Sequence, residues 1–272
     1  MKERIGKILI YMLVGAVILI SLFPLYIVFV MGSWKNDDLM RSLPYFFSDY
    51  FLENVKNVIR SNYLRSYMNS IIVSAASVVL CVLSAALFGY GVTKYEFKGK
   101  KVLSTFVIVV MMVPNQVSII GYLMQMRAMG LNNSLWAIIV CWIANPFAGF
   151  FMMQFMKGSV PDEILESARI DGAGEIRVFA SIARPFIMPA IASVSILIFL
   201  WSWNNYLLPL VVVNDNKNLT LPLFVNNLGS EYRDDIGARM AAMSLALAPL
   251  IVVFCVFSKS FIKGIAAGAL KG

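Results

Sequence analysis

Six long apolar segments contain none of the chain's charged residues. All 23 Lys and Arg and all 15 Asp and Glu side chains fall between these segments. A helix needs about 20 apolar residues to cross a bilayer, and a charge at its centre costs about 2.5–3.5 kcal/mol on insertion scales. The sequence therefore predicts an all-α membrane protein with six transmembrane helices in a single membrane domain, residues 1–272. The segments are 8–31, 66–91, 102–126, 135–156, 185–213 and 240–257.

Basic residues are distributed unequally between the two sets of connecting loops. The set that includes both termini carries 14 Lys and Arg in 60 residues and a net charge of +7, whereas the other carries 9 in 68 and a net charge of +1. Lys and Arg accumulate in cytoplasmic loops, so both termini are predicted to be cytoplasmic. The basic clusters follow the segment boundaries and not one polar face, so nucleic acid is not predicted as a partner.

Two segments near the N-terminus, the first apolar segment and segment 36–60, each allow more than one structural role. The first apolar segment is too long for a typical signal peptide and lacks an A-x-A site, so it is predicted to be a retained anchor. Segment 36–60 lies on the outer side and is rich in aromatic residues. An interfacial helix or loop with an aromatic belt is favoured there over a ligand site.

The residue types that most enzymes use for catalysis are largely missing. The chain has no histidine, and its three cysteines, Cys81, Cys141 and Cys255, lie far apart in apolar runs without C-x-x-C spacing. These absences argue against a zinc cluster, a disulfide framework and a histidine-dependent catalytic device. A membrane enzyme is therefore a remote alternative.

Several polar and aromatic residues interrupt the apolar segments. Amides inside a bilayer need hydrogen-bonding partners, which other helices or a water-filled cavity supply. Interhelical hydrogen bonding is the simpler interpretation for an isolated amide. For the cluster in the fifth segment a sugar path is favoured, because indole rings stack on sugar faces and amides bind hydroxyl groups. The candidate path residues are Gln116, Asn145, Trp201, Trp203, Asn204 and Asn205.

The cytoplasmic loop 157–184 carries a helical pattern. Ser159 followed by Pro161 and Asp162 is typical of a helix start, and Gly172 and Gly174 break the pattern before a second helix that leads into the fifth segment. An amphipathic helix at a membrane surface lies on lipid or docks in a protein groove. Acidic residues in its first turn disfavour anionic lipid, so a protein partner is predicted.

These loop residues resemble the E-A-A motif of ABC importer permeases, which has a Gly after three further residues and an I-x-L-P ending. Glu166-Ser167-Ala168, Gly172, Ile182 and Pro185 match it, with Ser167 and Arg184 as departures. The chain as a whole is similar to the second, six-span permease of the carbohydrate-uptake, maltose-type branch. Further matches are Ile170-Asp171-Gly172-Ala173, Val113-Pro114, Gly130-Leu131-Asn132-Asn133, Asn145-Pro146-Phe147, Trp203-Asn204-Asn205, Thr220-Leu221-Pro222 and the tail from Phe261 to Gly272.

The resemblance implies a MetI-like bundle in the bacterial cytoplasmic membrane that takes a sugar or oligosaccharide into the cytoplasm. Helix 160–171 would be a coupling helix seated on a separate ATPase dimer, and the permease itself would not be an enzyme. Glu166 is expected to contact the ATPase, with pairing to Arg169 as the alternative. The implied coupling residues are Glu166, Ser167, Ala168, Ile170, Asp171 and Gly172.

The same resemblance implies the partners. They are a second permease subunit, the ATPase dimer, an external solute-binding protein, membrane lipid and the sugar. ATP and Mg would bind to the ATPase, and no cofactor is expected on this chain, which lacks a G-x-x-x-x-G-K-[ST] phosphate loop. Tail 258–272 is expected to reach the ATPase pair, and loop 214–239 the binding protein. A self-contained secondary transporter or channel for a neutral solute is the alternative, disfavoured because internal repeats and intramembrane ionisable groups are missing.

Overall fold

The computed structural model describes residues 2–230 and 233–269, which are mostly helical. A pair of two-residue antiparallel strands, β1 (Gly229–Ser230) and β2 (Arg233–Asp234), is the exception. The predicted all-α class is therefore confirmed. The helices are α1 (Lys2–Gly32), α2 (Asn36–Leu39), α3 (Phe51–Arg60), α4 (Tyr63–Lys94), α5 (Lys100–Met111), α6 (Asn115–Ala128), α7 (Trp136–Ile143), α8 (Pro146–Ser159), α9 (Asp162–Ile170), α10 (Glu175–Arg177), α11 (Arg184–Trp203), α12 (Leu207–Val212), α13 (Leu221–Asn226) and α14 (Ile236–Ala269), with a π-helix at Val178–Ala183 and a 3₁₀ turn at Asn216–Asn218.

Five stretches of the described chain are long and apolar enough to cross a membrane. A sixth crossing is present if α5 and α6, which meet at an angle of 108°, form one span. This count agrees with the six apolar segments of the sequence. The five stretches are Gly6–Gly32, Tyr63–Lys94, Trp136–Ser159, Glu175–Trp203 and Ile236–Val256.

Proline accounts for the breaks in the third and fourth segments. Pro114 has extended backbone angles (φ −61°, ψ 128°) between α5 and α6, and its ring removes a hydrogen-bond donor from the helix. Asn145 is likewise extended before Pro146, and its side-chain oxygen accepts a hydrogen bond from the Ala148 amide at 3.0 Å. Asn145 thus caps α8, and Pro146 occupies the first helical position, where proline is tolerated.

The chain forms two compact units. The first comprises Met1–Tyr67 and Leu223–Pro249. Within it, the buried Asn54 on α3 donates hydrogen bonds to the carbonyls of Gly32 and Trp34, each at 2.9 Å. These bonds satisfy carbonyls at the C-terminal end of α1 that have no partner within the helix. The outer segment 36–60 thus contains a helix packed onto the end of the first span.

The second unit comprises Met68–Pro222 and Leu250–Gly272. Its core lies between α4, α8 and α11, where Cys81, Met152 and Ile198 are fully buried. A Cβ added to Gly89 would lie 3.0 Å from the Cβ of Met152, so glycine allows α4 and α8 to approach closely. This unit carries both the cytoplasmic loop and the candidate solute path.

Candidate functional site

The helix predicted at 160–171 is present as α9, Asp162–Ile170. Acidic residues in its first turn, Asp162 and Glu163, suit the positive end of the helix dipole. Its inner face buries Leu165, which is 1% exposed, and Ala168, which is 9% exposed. Both pack into a cluster with buried residues of α4 and α8 and of the π-helix, which fixes α9 against its own chain.

The outer face of α9 exposes two isoleucines among acidic and polar side chains. Ile164 is 42% exposed and Ile170 is 86% exposed, and Ile176 on α10 is also 86% exposed. Burying one such side chain typically stabilises a complex by about 1.5–3 kcal/mol. The predicted residues Glu166, Ser167, Asp171 and Gly172 are exposed as well, whereas Ala168 lies on the inner face.

A Schellman motif terminates α9. Gly172 has φ +81°, its amide donates to the Arg169 carbonyl at 3.0 Å, and the Ala173 amide donates to the Ala168 carbonyl at 3.0 Å. This pair of bonds requires a left-handed residue after the helix, which glycine adopts without steric cost. Gly172 therefore sets the direction in which the chain leaves α9.

The proposed pairing of Glu166 with Arg169 is not formed. Arg169 instead binds Glu175 across the Gly172 turn, with Nε to Oε1 at 2.7 Å and Nη2 to Oε2 at 3.3 Å. The hydrogen bonds that Arg169 donates to Glu175 raise the pKa of Arg169 above its already high value. Glu166 is exposed and has no bonding partner among the residues that the structure describes, so its carboxylate is available to another subunit.

Three of the six predicted path residues line one cleft. Gln116, Asn145 and Trp201 border a cleft of about 490 Å³, and none of its described lining residues is charged. The Phe147 and Trp201 rings meet edge to face, with centroids 5.4 Å apart. The remaining lining residues are Val110, Met111, Val113, Pro114, Trp142, Pro146 and Phe147.

Sequence reasoning missed Trp142, which also lines the cleft. Its side chain is buried, and its indole Nε1 has no hydrogen-bond partner among the described residues. A buried donor without a partner carries a desolvation cost of about 1–3 kcal/mol. Trp142 lies in an apolar run, so its sequence context indicated core packing alone.

The other three predicted path residues do not line this cleft. Trp203 is 3% exposed and stacks on Phe199 at 5.7 Å. The Asn204 amide donates to the Leu200 carbonyl at 2.8 Å, and the Asn205 side-chain oxygen accepts from the Leu208 amide at 3.1 Å. Trp203 is the last residue of α11, and Asn204 and Asn205 lie in the turn before α12.

The predicted tail contact and outer-loop contact are not placed by the structure. The backbone of α14 is helical to Ala269, but the tail side chains and residues 270–272 lie outside the described part of the chain. In loop 214–239, the Asp215 side chain accepts a hydrogen bond from the Lys217 amide at 2.8 Å and α13 follows, while residues 231–232 also lie outside that part.

A family model and several known proteins match most of this chain. Residues 81–267 match the family model described as "Binding-protein-dependent transport system inner membrane component". An arabinooligosaccharides transport system permease protein of Bacillus subtilis is 31% identical over 279 residues, covering 99% of this chain and 96% of the relative. A multiple sugar-binding transport system permease protein of Streptococcus mutans is 28% identical, covering 99% of each. A lactose transport system permease protein of Rhizobium radiobacter is also 28% identical, covering 100% and 98%.

Solved structures share the fold. A chain of a bacterial ABC transporter involved in the import of the acidic polysaccharide alginate superposes with a TM-score of 0.83 at 21% identity, covering 96% of this chain and 98% of that chain. A chain from the alginate transporter in complex with an alginate pentasaccharide-bound periplasmic protein gives a TM-score of 0.61 at 16% identity, covering 94% and 93%.

Proposed function

The chain belongs to the family of binding-protein-dependent transport system inner membrane components, and we propose that it carries an uncharged oligosaccharide through the cleft lined by Gln116, Asn145 and Trp201. It is a permease subunit of an ABC importer and not an enzyme, which confirms the resemblance seen in the sequence. Membership of a family that depends on a binding protein favours this function over a self-contained secondary transporter or channel.

The chemistry of the cleft carries the proposal for the solute. Two indole rings and two amide side chains border a space without charge. Aromatic faces bind the C–H faces of sugar rings, and amides bind hydroxyl groups in both directions as donor and acceptor. Relatives named for arabinooligosaccharides, multiple sugars and lactose support the same class of solute.

The outer face of α9 supports the proposal for energy coupling. Exposed Ile164 and Ile170, with the free carboxylate of Glu166, would seat on a cytoplasmic ATPase dimer. We propose that ATP and Mg bind to that dimer, and that a second permease subunit completes the path. The external solute-binding protein would deliver the sugar, and loop 214–239 would contact it.

Transport by the assembled complex tests the solute class. The permease, co-purified with its partner permease and ATPase, is placed in proteoliposomes with ATP inside and the binding protein outside. We expect ATP-dependent uptake of at least one of three probes, arabinotriose, lactose and diacetylchitobiose, and no uptake of an alginate trisaccharide. Uptake of the acidic trisaccharide alone, or uptake driven by an ion gradient without ATP, would contradict the proposal.

Replacement of Trp142 by Phe tests the cleft itself. This change keeps a six-membered aromatic ring but removes the five-membered ring of the indole with its unpaired Nε1–H, and loss of one hydrogen bond to solute costs about 0.5–1.5 kcal/mol. We expect the concentration of loaded binding protein that half-saturates uptake to rise by roughly 2–10-fold. Trp136→Ala is the control, because Trp136 is 55% exposed at the start of α7 and does not line the cleft. Equal effects of the two changes would remove Trp142 from the path.

A further inference from the structure

The C-terminal end of α4 holds α9 at its first turn. Lys94, the last residue of α4, places its Nζ 2.6 Å from the Asp162 carboxylate and 2.6 Å from the Val160 carbonyl. The Lys94 side chain is 4% exposed, whereas Asp162 is 71% exposed. A buried ammonium group requires such partners, because removing one leaves an uncompensated charge in a poorly solvated site. The first turn of α9 is therefore tied to one fixed point on α4.

A second tie lies at the opposite end of α9. The Tyr95 hydroxyl, one residue beyond α4, donates a hydrogen bond to Glu175, and the Tyr90 hydroxyl lies 3.4 Å from the same carboxylate. The Arg169 guanidinium lies over the Tyr95 ring, 5.7 Å from its centroid, and binds Glu175 in a bidentate manner. Burial and the bond to Glu175 raise the pKa of Tyr95, so its hydroxyl remains protonated and able to donate.

Two ties at the ends of a nine-residue helix restrict its motion relative to α4. A single tie would let α9 pivot, whereas an ion pair with a buried lysine at one end and a bidentate, charge-assisted network at the other fix both its position and its angle. A push on the outer face of α9 would then move the end of α4. Two competing routes exist: the packing of Leu165 and Ala168 against Met156 of α8 and Val178 of the π-helix, and the covalent continuation from α9 through the π-helix at Val178–Ala183 into α11.

We propose that α4 is the membrane helix that receives the movement of α9, and that Lys94, Arg169, Glu175 and Tyr95 are positioning residues for this transmission. The inference rests on the proposed function, in which α9 seats on the ATPase. These residues touch neither nucleotide nor solute; they keep α9 and α4 moving as one body. Weakening the ties leaves docking intact and allows ATP to be hydrolysed without solute movement.

The ratio of solute imported to ATP hydrolysed tests the proposal in the complete complex in proteoliposomes. Glu175→Gln removes the charge from an exposed position while keeping the side-chain shape. We expect the imported solute per ATP to fall roughly fivefold or more, the lower end of ordinary coupling between sites, while the ATPase still co-purifies in full amount. Tyr95→Phe, which removes one exposed hydroxyl and leaves the fold intact, should lower the same ratio by a smaller factor.

A nearby ion pair provides the matched control. Lys100 and Glu96 form a pair at 2.6 Å on the same cytoplasmic loop, with no bond to α9, and Glu96→Gln should leave the ratio unchanged. The charge exchange Arg169→Glu with Glu175→Arg should recover part of the loss. An unchanged ratio in both Glu175→Gln and Tyr95→Phe would overturn the inference, and so would loss of the ATPase from either complex. Failure of the unmodified complex to import with ATP would instead contradict the proposed function.

Discussion

Two glycines in the cytoplasmic loop have the same side chain but different backbone requirements. Gly172 has φ +81° and closes the Schellman motif after α9, whereas Gly174 has φ −66° and precedes α10. A Cβ at either position would meet nothing within 4 Å. The difference between them is therefore conformational, since only the left-handed region penalises a side chain.

Replacement of Gly172 by Val should abolish uptake while leaving membrane insertion intact. A left-handed backbone costs an L-residue about 1–2 kcal/mol, and β-branching restricts it further, so the chain would leave α9 in another direction. The measurement is ATP-dependent uptake in the reconstituted complex, with the amount of membrane-inserted permease determined in parallel.

Gly174→Val is the matched control, because its extended backbone suits a β-branched residue. We expect near-normal uptake from this variant and partial recovery in Gly172→Asn, since Asn tolerates the left-handed region. If Gly172→Val imported at the normal rate, the assignment of α9 and its turn as the coupling element would be wrong.

Residue types predicted the candidate cleft only in part. Gln116 and Asn145 stand out because amides are costly in an apolar segment, and the structure places both at the cleft with Trp201. Trp142 carried no such signal, because one indole in an apolar run is typical of core packing. Arg169 has Glu166 at helical spacing and also Glu175 beyond the turn, and sequence spacing cannot choose between these partners. The fold of the Gly172 turn makes that choice.

At the scale of elements, the apolar residues of α9 divide between a buried face and an exposed one that have different roles. Leu165 and Ala168 attach it to its own chain, while Ile164 and Ile170 remain exposed. Helical spacing predicted one apolar stripe and a protein partner. It could not show that Leu165 and Ala168 of this stripe would be buried within the chain, because the packing of α4 and α8 beneath α9 depends on contacts distant in sequence.

Substitutions on the two faces of α9 should separate assembly from stability. Ile170→Ser alters a side chain that is 86% exposed, so the thermal stability of the permease should not change. Truncating a central interface side chain costs about 2 kcal/mol or more in binding, so less ATPase should co-purify. Pull-down of the ATPase with tagged permease measures this loss.

Leu165→Ala gives the opposite pattern. This side chain is 1% exposed, and deletion of a buried leucine typically costs about 2–5 kcal/mol of folding stability. The unfolding midpoint in detergent should fall, whatever the state of the ATPase. Equal retention of the ATPase by Ile170→Ser and the unmodified chain would contradict a docking role for the outer face.

The number of apolar segments was predicted more reliably than the breaks within them. The charge-free stretches locate the membrane helices because charge is excluded from hydrocarbon. Pro114 and Pro146 are visible in the sequence, but proline in a membrane helix produces a range of outcomes from a mild kink to a full break. The structure shows a 108° bend at the first and a capped break at the second.

At the scale of the whole chain, the bent pair α5 and α6 decides the parity of the membrane crossings. Five long helices alone would place the termini on opposite sides, whereas a pair that spans once gives six crossings and places them on the same side. The net charges of +7 and +1 are obtained when loop 127–134 is grouped with the outer loops. Six crossings place this loop outside and keep that charge difference, so the accumulation of Lys and Arg in cytoplasmic loops favours six crossings.

Reporter fusions test this parity directly. Green fluorescent protein fused after Gly272 should fluoresce, since it folds in the cytoplasm, and alkaline phosphatase fused after Gly130 should be active, since it requires the outer side. Alkaline phosphatase fused after Lys98, in the loop before α5, should be inactive and serves as the control. Because a re-entrant pair would return the chain to the cytoplasmic side before α7, it would reverse the results at Gly130 and Gly272 while leaving Lys98 unchanged. That reversal would show that the unequal distribution of basic residues does not set the orientation of the second half of the chain.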